Sequence, residues 1–228
     1  VQGMLEAKRQ LMLAISHELR SPLTRSKVAL ELVDDEAAKE TLLEDINEME
    51  RLIADLLESE ALNTRHAILR REAVDPGELV RLVIDTDFAG RSERLSLRIE
   101  DELPRVELDA TRIRLLLRNL IDNALRYNPQ SGPPVEIDVD QQGGSLRISV
   151  RDRGQGIAAE HLPHVTEPFY RADPARSRAT GGVGLGLYLC RRIVEAHGGR
   201  FIVDSKHGYG TRVTAVLPLT ESADGERN

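Results

Sequence analysis

Apolar residues recur at Leu5, Met12, Ile15, Leu19, Leu23, Leu30 and Val33, and again at Leu42, Leu43, Ile46, Met49, Ile53, Leu56 and Leu57, in steps built of threes and fours. Such spacing draws one apolar stripe along an amphipathic helix. The acidic run Asp34-Asp35-Glu36 separates the two stretches. The pattern therefore predicts one helix from about residue 3 to 33 and a second after the break, joined by a short turn into an antiparallel hairpin. One hairpin cannot surround its own stripe. A second copy would close it into a dimeric four-helix bundle; packing of both stripes on a following domain within one monomer is the alternative.

Composition bounds the rest. With 228 residues, 40% hydrophobic and 30% charged, the chain has room for that hairpin and a globular domain of about 150 residues. Aromatics are 3% and Trp is absent, so the cores must be aliphatic. A formal charge of −7 offers no basic surface, and no nucleic acid is expected as a partner. The lone Cys190 permits no internal disulfide and fits a reducing compartment. No run approaches the length of a membrane span and no signal peptide opens the chain. It starts within a helix-forming segment, Met4 to Leu13, which reads as a portion of something longer.

His17 lies off the first stripe, about 200° around the helix from Ile15 and from Leu19, so its imidazole should face solvent or a docked partner beside Glu18. A surface His next to a Glu is also an ordinary helix feature. Pro22 speaks against the ordinary reading, because an interior proline costs about 3 kcal/mol and suggests a bend kept for a purpose. The zinc signature His-Glu-x-x-His fails, since position 21 is Ser.

Residues 63–66 lose the helical pattern and read as a linker. A short strand is expected at Ile68 to Arg71. Asp75-Pro76-Gly77-Glu78 then forms a capping-box helix start, the helix carrying Leu79, Leu82, Val83 and Phe88. Strands at Leu95 to Ile99 and Arg105 to Leu108 precede a helix from about Thr111 to Tyr127, with Leu116, Leu117, Leu120, Ile121 and Ala124 on its apolar face. Asn119 and Asn123, four apart, stack on another face with Arg126 nearby. Asparagine is a mediocre helix former, and a carboxamide oxygen suits Mg2+ when phosphates supply the other ligands; for the pair in isolation a structural role is the plainer reading.

Val135 to Val139 and Leu146 to Val150 alternate as strands of a hairpin turned at Gly143-Gly144. The second strand ends in Asp152-Arg153-Gly154-Gln155-Gly156-Ile157, a carboxylate followed by glycines that suits recognition of an exocyclic amine such as that of adenine, or is a plain loop. Residues 162–182, broken by Pro163, Pro168, Pro174, Gly181 and Gly182 and charged at Arg171, Asp173, Arg176 and Arg178, read as a mobile lid. The lid ends at Gly182-Val183-Gly184-Leu185-Gly186-Leu187, which feeds an apolar helix. Backbone N–H groups and the dipole at such a start cradle phosphate. No Gly-Lys-Ser/Thr follows, so it is no Walker loop, and no parallel strand-helix-strand unit is expected around it. Strands Arg200 to Ser205 and Thr211 to Leu219 flank Gly208-Tyr209-Gly210, and residues 221–228 read as a disordered tail.

Together these segments resemble the bacterial sensor histidine kinases over nearly the whole chain. Ser16 to Thr24 looks like the H box, Asn119 to Ala124 the N box, Asp152 to Gly156 the first glycine box, Pro168-Phe169-Tyr170-Arg171 the F box, Gly182 to Gly186 the second glycine box and Gly208 to Thr211 the third, in the family's order. The resemblance implies an α+β protein: a dimerisation and phosphotransfer hairpin over residues 1–64, then over 65–220 an α/β sandwich of the Bergerat ATP-binding type. It implies a protein-histidine kinase in which ATP lies between the Asn helix and the lid, Asp152 reads adenine, Asn123 holds Mg2+ with Asn119 supporting, and Arg126 and Tyr127 line the phosphate and ribose side. Gly154, Gly156, Ile157, Arg171, Gly182, Gly184, Leu185, Gly186, Leu187 and Thr211 complete the nucleotide site. His17 would be phosphorylated with Glu18 as its general base, and the phosphoryl group passed to an aspartate of a cognate response regulator. Ser21 occupies the position that orients water for dephosphorylating that partner. The homodimer would be the cytoplasmic portion of a bacterial inner-membrane sensor, reaching the membrane only through segments outside this chain. Two departures stand out: Arg126 where many relatives have Lys, which changes the geometry of a phosphate contact, and the extra Gly181 in the lid. An ATP-driven clamp of the Hsp90 and MutL kind would share the Asn, Asp and glycine positions but has no use for an H box, and a catalytically dead scaffold would dimerise and only sense nucleotide.

Overall fold

The computed structural model describes residues 22–30, 35–62, 69–171 and 184–219. The chain divides into two units, residues 1–67 and 68–228. Among the described residues no helix is long and apolar enough to cross a membrane.

The first unit holds helix α1 over residues 22–30 and helix α2 at Glu36–Leu62. Asp35 starts α2 by accepting from the backbone N–H groups of Ala37 and Ala38 at 3.1 and 3.2 Å, so the acidic break doubles as a helix cap. The stripes meet where Leu23 and Leu30 of α1 pack with Ile46 of α2, Ile53 lying partly buried against them. Lys27 bridges to Glu50 at 2.7 Å beside this seam.

The second unit runs β1 (Glu72–Val74), α3 (Pro76–Asp87), a 3-10 segment (Ala89–Arg94), β2 (Leu95–Ile99), β3 (Val106–Leu108), α4 (Ala110–Tyr127), β4 (Val135–Gln142), β5 (Ser145–Arg151), α5 (Gly186–Ala196), β6 (Arg200–Lys206) and β7 (Gly210–Pro218). Five strands form one sheet in the order β2-β4-β5-β7-β6, while β1 and β3 pair separately. β2 lies parallel to β4; the remaining neighbours in the large sheet are antiparallel. The alternation seen in the sequence puts Val135, Ile137 and Val139 of β4 and Leu146, Ile148 and Val150 of β5 in the core. Ile113, Leu116, Leu117, Leu120 and Ile121 of α4 and Leu189 and Ile193 of α5 are buried as well, which gives a helix layer on one sheet face. The opposite face carries cross-strand ion pairs, Arg98 with Asp138 at 2.7 Å and Arg147 with Asp140 at 2.8 Å.

Asp75 caps α3 through a 2.9 Å bond from the Glu78 N–H, with Pro76 in the first turn, as the capping box requires. α3 buries Leu79, Val80, Val83 and Ile84 and leaves Leu82 exposed. One expectation needs correction. The strand expected at Ile68 to Arg71 is found at Glu72–Val74, paired with Leu108 to Val106; Arg70 spends its N–H on the Asp109 carboxylate at 3.0 Å instead of a strand partner. Of the lid expected over residues 162–182, the described part, 162–171, runs as turns without a regular element. Successive turns close through His161 N–H to Ala158 O at 2.9 Å, His164 N–H to His161 O at 2.9 Å and Glu167 N–H to His164 O at 2.8 Å, while residues 172–183 lie outside the described ones.

Candidate nucleotide site

α4 supplies one wall. Its N-terminus is fixed by Asp109, whose Oδ1 accepts from the Arg112 N–H at 3.1 Å, and its apolar face is pulled to the sheet by Ile113, Leu116, Leu117, Leu120, Ile121 and Ala124. That leaves Asn119 and Asn123 half-buried at the margin of the packed face and Arg126 and Tyr127 exposed in the last turn. The Asn119 amide donates to the Leu115 carbonyl at 3.0 Å, which turns its Oδ1 outward as an acceptor.

The Oδ1 atom of Asn119 lies 3.2 Å from where a Cβ on Gly186 would sit. Gly186 is the first residue of α5, Leu185 occupies the cap position without a side-chain bond, and Leu187 follows half-buried. The start of α5 thus lies beside Asn119 with no Gly186 side chain between them, and a helix start presents backbone N–H groups without intrahelical partners. Phe169 of the F box donates its N–H to the Gly184 carbonyl at 3.0 Å. Its φ of 66° is a costly backbone state for an aromatic residue. Tyr170 is held by a 2.7 Å bond between its hydroxyl and Nδ1 of His161, and Arg171 follows half-buried. The two ends of the segment containing residues 172–183 are therefore stapled together.

The floor is built on Asp152, 6% exposed. Its Oδ1 accepts from the Gly154 N–H at 2.8 Å and the Thr211 N–H at 3.3 Å, and its own N–H donates to the Thr211 carbonyl at 2.9 Å. Burial pushes this carboxyl above the ordinary Asp value, with the Gly154 and Thr211 N–H groups opposing. The loop stays there because Gly156, at φ 67°, presses against the β6–β7 turn so closely that a Cβ would collide with the Lys206 carbonyl. Ile157 donates its N–H to Ser205 Oγ at 2.8 Å, and Ser205 bonds the Gly210 carbonyl at 2.9 Å and pairs with Thr211 Oγ1 at 2.8 Å.

The structure thus brings Asp152, Gly154, Gly156, Ile157 and Thr211 into one cluster, and Asn119, Gly184, Leu185 and Gly186 into another. Asn128 bridges α4 to the floor: its Oδ1 accepts from the Arg153 N–H at 2.9 Å and its amide donates to the Pro133 carbonyl at 2.8 Å. Sequence reasoning missed Asn128 and Ser205. Asn128 sits one residue past the helix, before a Pro, where Asn commonly turns the chain; Ser205 carries no local signal. His17, Glu18, Ser21 and Gly182 lie outside the described residues. The described residues contain no cluster of three or more His, Cys, Asp or Glu side chains able to hold a metal. The half-buried carboxamides of Asn119 and Asn123 are donors that a divalent ion such as Mg2+ accepts when phosphates supply its other ligands.

Residues 108–221, half of the chain, match the family model described as histidine kinase-, DNA gyrase B-, and HSP90-like ATPase, and residues 7–65 match the His Kinase A (phospho-acceptor) domain. The chain belongs to the sensor histidine kinase family. It is 34% identical over 237 residues to sensor histidine kinase WalK of Bacillus subtilis, covering 99% of this chain and 39% of that protein. With sensor histidine kinase YkoH of the same organism it shares 37% identity over 233 residues, covering 97% and 50%. The chain spans half or less of the length of these curated relatives. Among solved structures, full-length ShkA in complex with AMPPNP superposes with a TM-score of 0.75 at 25% identity, over 96% of this chain and 47% of that one. Both the helical phospho-acceptor region and the α/β ATPase unit of the family are thus accounted for along this chain.

Proposed function

We propose that this chain is the ATP-dependent autokinase portion of a two-component sensor, and that it transfers the γ-phosphoryl group of ATP to His17 and then to an aspartate of a response regulator. The observation that carries the reading is the buried Asp152 carboxylate. Two backbone amides fix Oδ1, so the carboxylate plane is set and Oδ2 accepts from the exocyclic amine of adenine. The phosphates then run past Asn119 and Asn123 toward the start of α5, with Arg126 and Tyr127 at the edge. Mg2+ held by Asn123, with Asn119 supporting, would neutralise phosphate charge. The residues around Gly184 and Gly186 offer N–H groups to phosphate oxygens, and Arg171 and Gly182 belong to the segment that folds over the nucleotide. In the transfer step Nε2 of His17 forms a bond to the γ-phosphorus in line as the bond to the β–γ bridging oxygen breaks and ADP leaves. Glu18 takes the proton from Nδ1.

A homodimer would form through α2. Leu42, Leu43 and Met49 remain substantially exposed in the single chain, which a second hairpin would cover as a four-helix bundle. Residues 1–64 would form this dimerisation and phosphotransfer domain and 65–220 the catalytic domain, on the cytoplasmic side of the membrane. Ser21 would orient water for dephosphorylating the regulator. Incubation with γ-labelled ATP and Mg2+ tests the proposal: acid-labile, alkali-stable label lost in His17→Gln and in Asn123→Ala is the expected result. Free phosphate without labelled protein would indicate a clamp ATPase, and bound nucleotide with neither product a scaffold; either refutes it.

A further inference from the structure

α4 and α5 touch at three levels. Gly186 at the start of α5 meets Asn119; Cys190 lies with its sulfur 3.8 Å from the Leu116 carbonyl; and His197, just past the end of α5, accepts with Nε2 from the Asp109 N–H at 3.1 Å. The order 186, 190, 197 against 119, 116, 109 means that the helices run antiparallel and that His197 fixes their register at the end remote from the nucleotide. The other ring nitrogen donates to the Ile193 carbonyl at 2.8 Å. Because an amide N–H occupies Nε2, the ring proton must sit on Nδ1, and the imidazole is neutral with both nitrogens used.

Asp109 extends the contact. The carboxylate accepts from the N–H of Arg70, which leads the chain into β1, at 3.0 Å and caps α4 through Arg112. One buried ring, 2% exposed, therefore joins the end of α5, the start of α4 and segment 69–71. A second proton could enter only at Nε2. There it would remove the lone pair and set two N–H donors against each other in a buried site. The surroundings resist it: burial is the main cause that lowers this imidazole from its ordinary 6.5, and Arg71 and Arg112 add to it while the Ile193 carbonyl and Asp109 oppose.

Resting on the nucleotide site assigned above, we propose that His197 is a positioning residue: its neutral ring locks α5 on α4 in the register that sets Gly186 beside Asn119, and ties segment 69–71 to both through Asp109, so that protonating this one ring weakens nucleotide binding and releases Arg70.

The test is ADP·Mg2+ affinity by calorimetry from about pH 8 to about pH 5 on the full chain, wild type beside His197→Gln, whose carboxamide oxygen can accept from Asp109 but does not titrate. Titration of the ligand is common to both chains and cancels in the ratio. Wild type should lose roughly tenfold more affinity than the variant on acidification, as for one lost buried hydrogen bond. Amide exchange protection at Arg70 and Asp109, corrected for intrinsic rates, should fall in step with the His197 ring titration seen by NMR, and should stay level in His197→Gln. Parallel affinity curves, or Arg70 protection that ignores the ring's titration, would overturn the proposal. The wild-type protection series decides even if the variant does not fold. A chain that bound no ADP at any pH would defeat the nucleotide reading instead, leaving the amide readout to judge His197.

Discussion

In the sheet unit Ile113, Leu116, Leu117, Ile121, Ile137 and Ile193 are removed from solvent altogether, whereas on α2 of the helical unit Leu42, Leu43 and Met49 keep 45, 40 and 44% exposure. Both sets come from regular apolar periodicity. The difference lies in what the periodicity has to pack against. A sheet with helices on one face closes its own core, so the nucleotide walls can be rigid within one chain. The described part of the helical unit leaves apolar area on α2 exposed, of the kind another molecule can cover. The contrast teaches that the sheet unit closes its own core, while α2 of the helical unit keeps an apolar face for which we propose a second copy as the cover.

The sharpest way to separate the units is functional. His17→Gln should abolish labelling by more than about a hundredfold while leaving ADP affinity unchanged, whereas Asn123→Ala should lose labelling through weakened Mg2+-nucleotide binding. A fall in ADP affinity in His17→Gln, measured by calorimetry, would break the separation. Next in size, Ile121→Ala should destabilise the sheet unit by about 2–5 kcal/mol through the cavity it leaves, shifting that unit's denaturant transition without moving the helical one. Gly156→Ala should cost more than about 1 kcal/mol and weaken nucleotide binding, because its φ is positive and its Cβ would meet Lys206; a stable variant with unchanged affinity would contradict the floor described here.

A smaller effect concerns pH. Asp152 has a folded pKa above its ordinary 3.8, so its contribution to stability is fully present below 3.8 and is lost as pH rises through the folded value. Nucleotide binding has the opposite sign, since only the carboxylate accepts from adenine, and affinity should decline on acidification before an ordinary Asp would titrate. Asp152→Asn should flatten that limb of the profile, as calorimetry would show. Smallest on the fold of a single chain is Met49→Ala, expected within about 0.5 kcal/mol there. It should nevertheless lower the concentration-dependent melting midpoint of the helical unit, and a midpoint independent of concentration would remove the dimer.

Strong periodicity made α4, the β4–β5 hairpin and the capped start of α3 legible, because each is a local decision: Asp75 and Pro76 start a helix, and two glycines at φ 57° and 72° turn a hairpin. What remained hidden is non-local. Asp109 and His197 are 88 positions apart, and nothing near either announces the other. β2 pairing parallel to β4 depends on how α4 crosses the sheet, a tertiary choice. In the site, Asp152 and the glycines stood out as chain punctuation, whereas Ser205 and Asn128 matter only through the loops folded onto them.

The most direct measurement is to incubate the full chain with ATP and Mg2+ and follow the phosphoryl group to its residue by alkaline-quenched mass spectrometry, with ADP counted alongside. The account predicts one phosphoryl group on the His17 imidazole for each ADP released. ADP and free phosphate formed together, with His17 unmodified in dimers saturated with nucleotide, would contradict it.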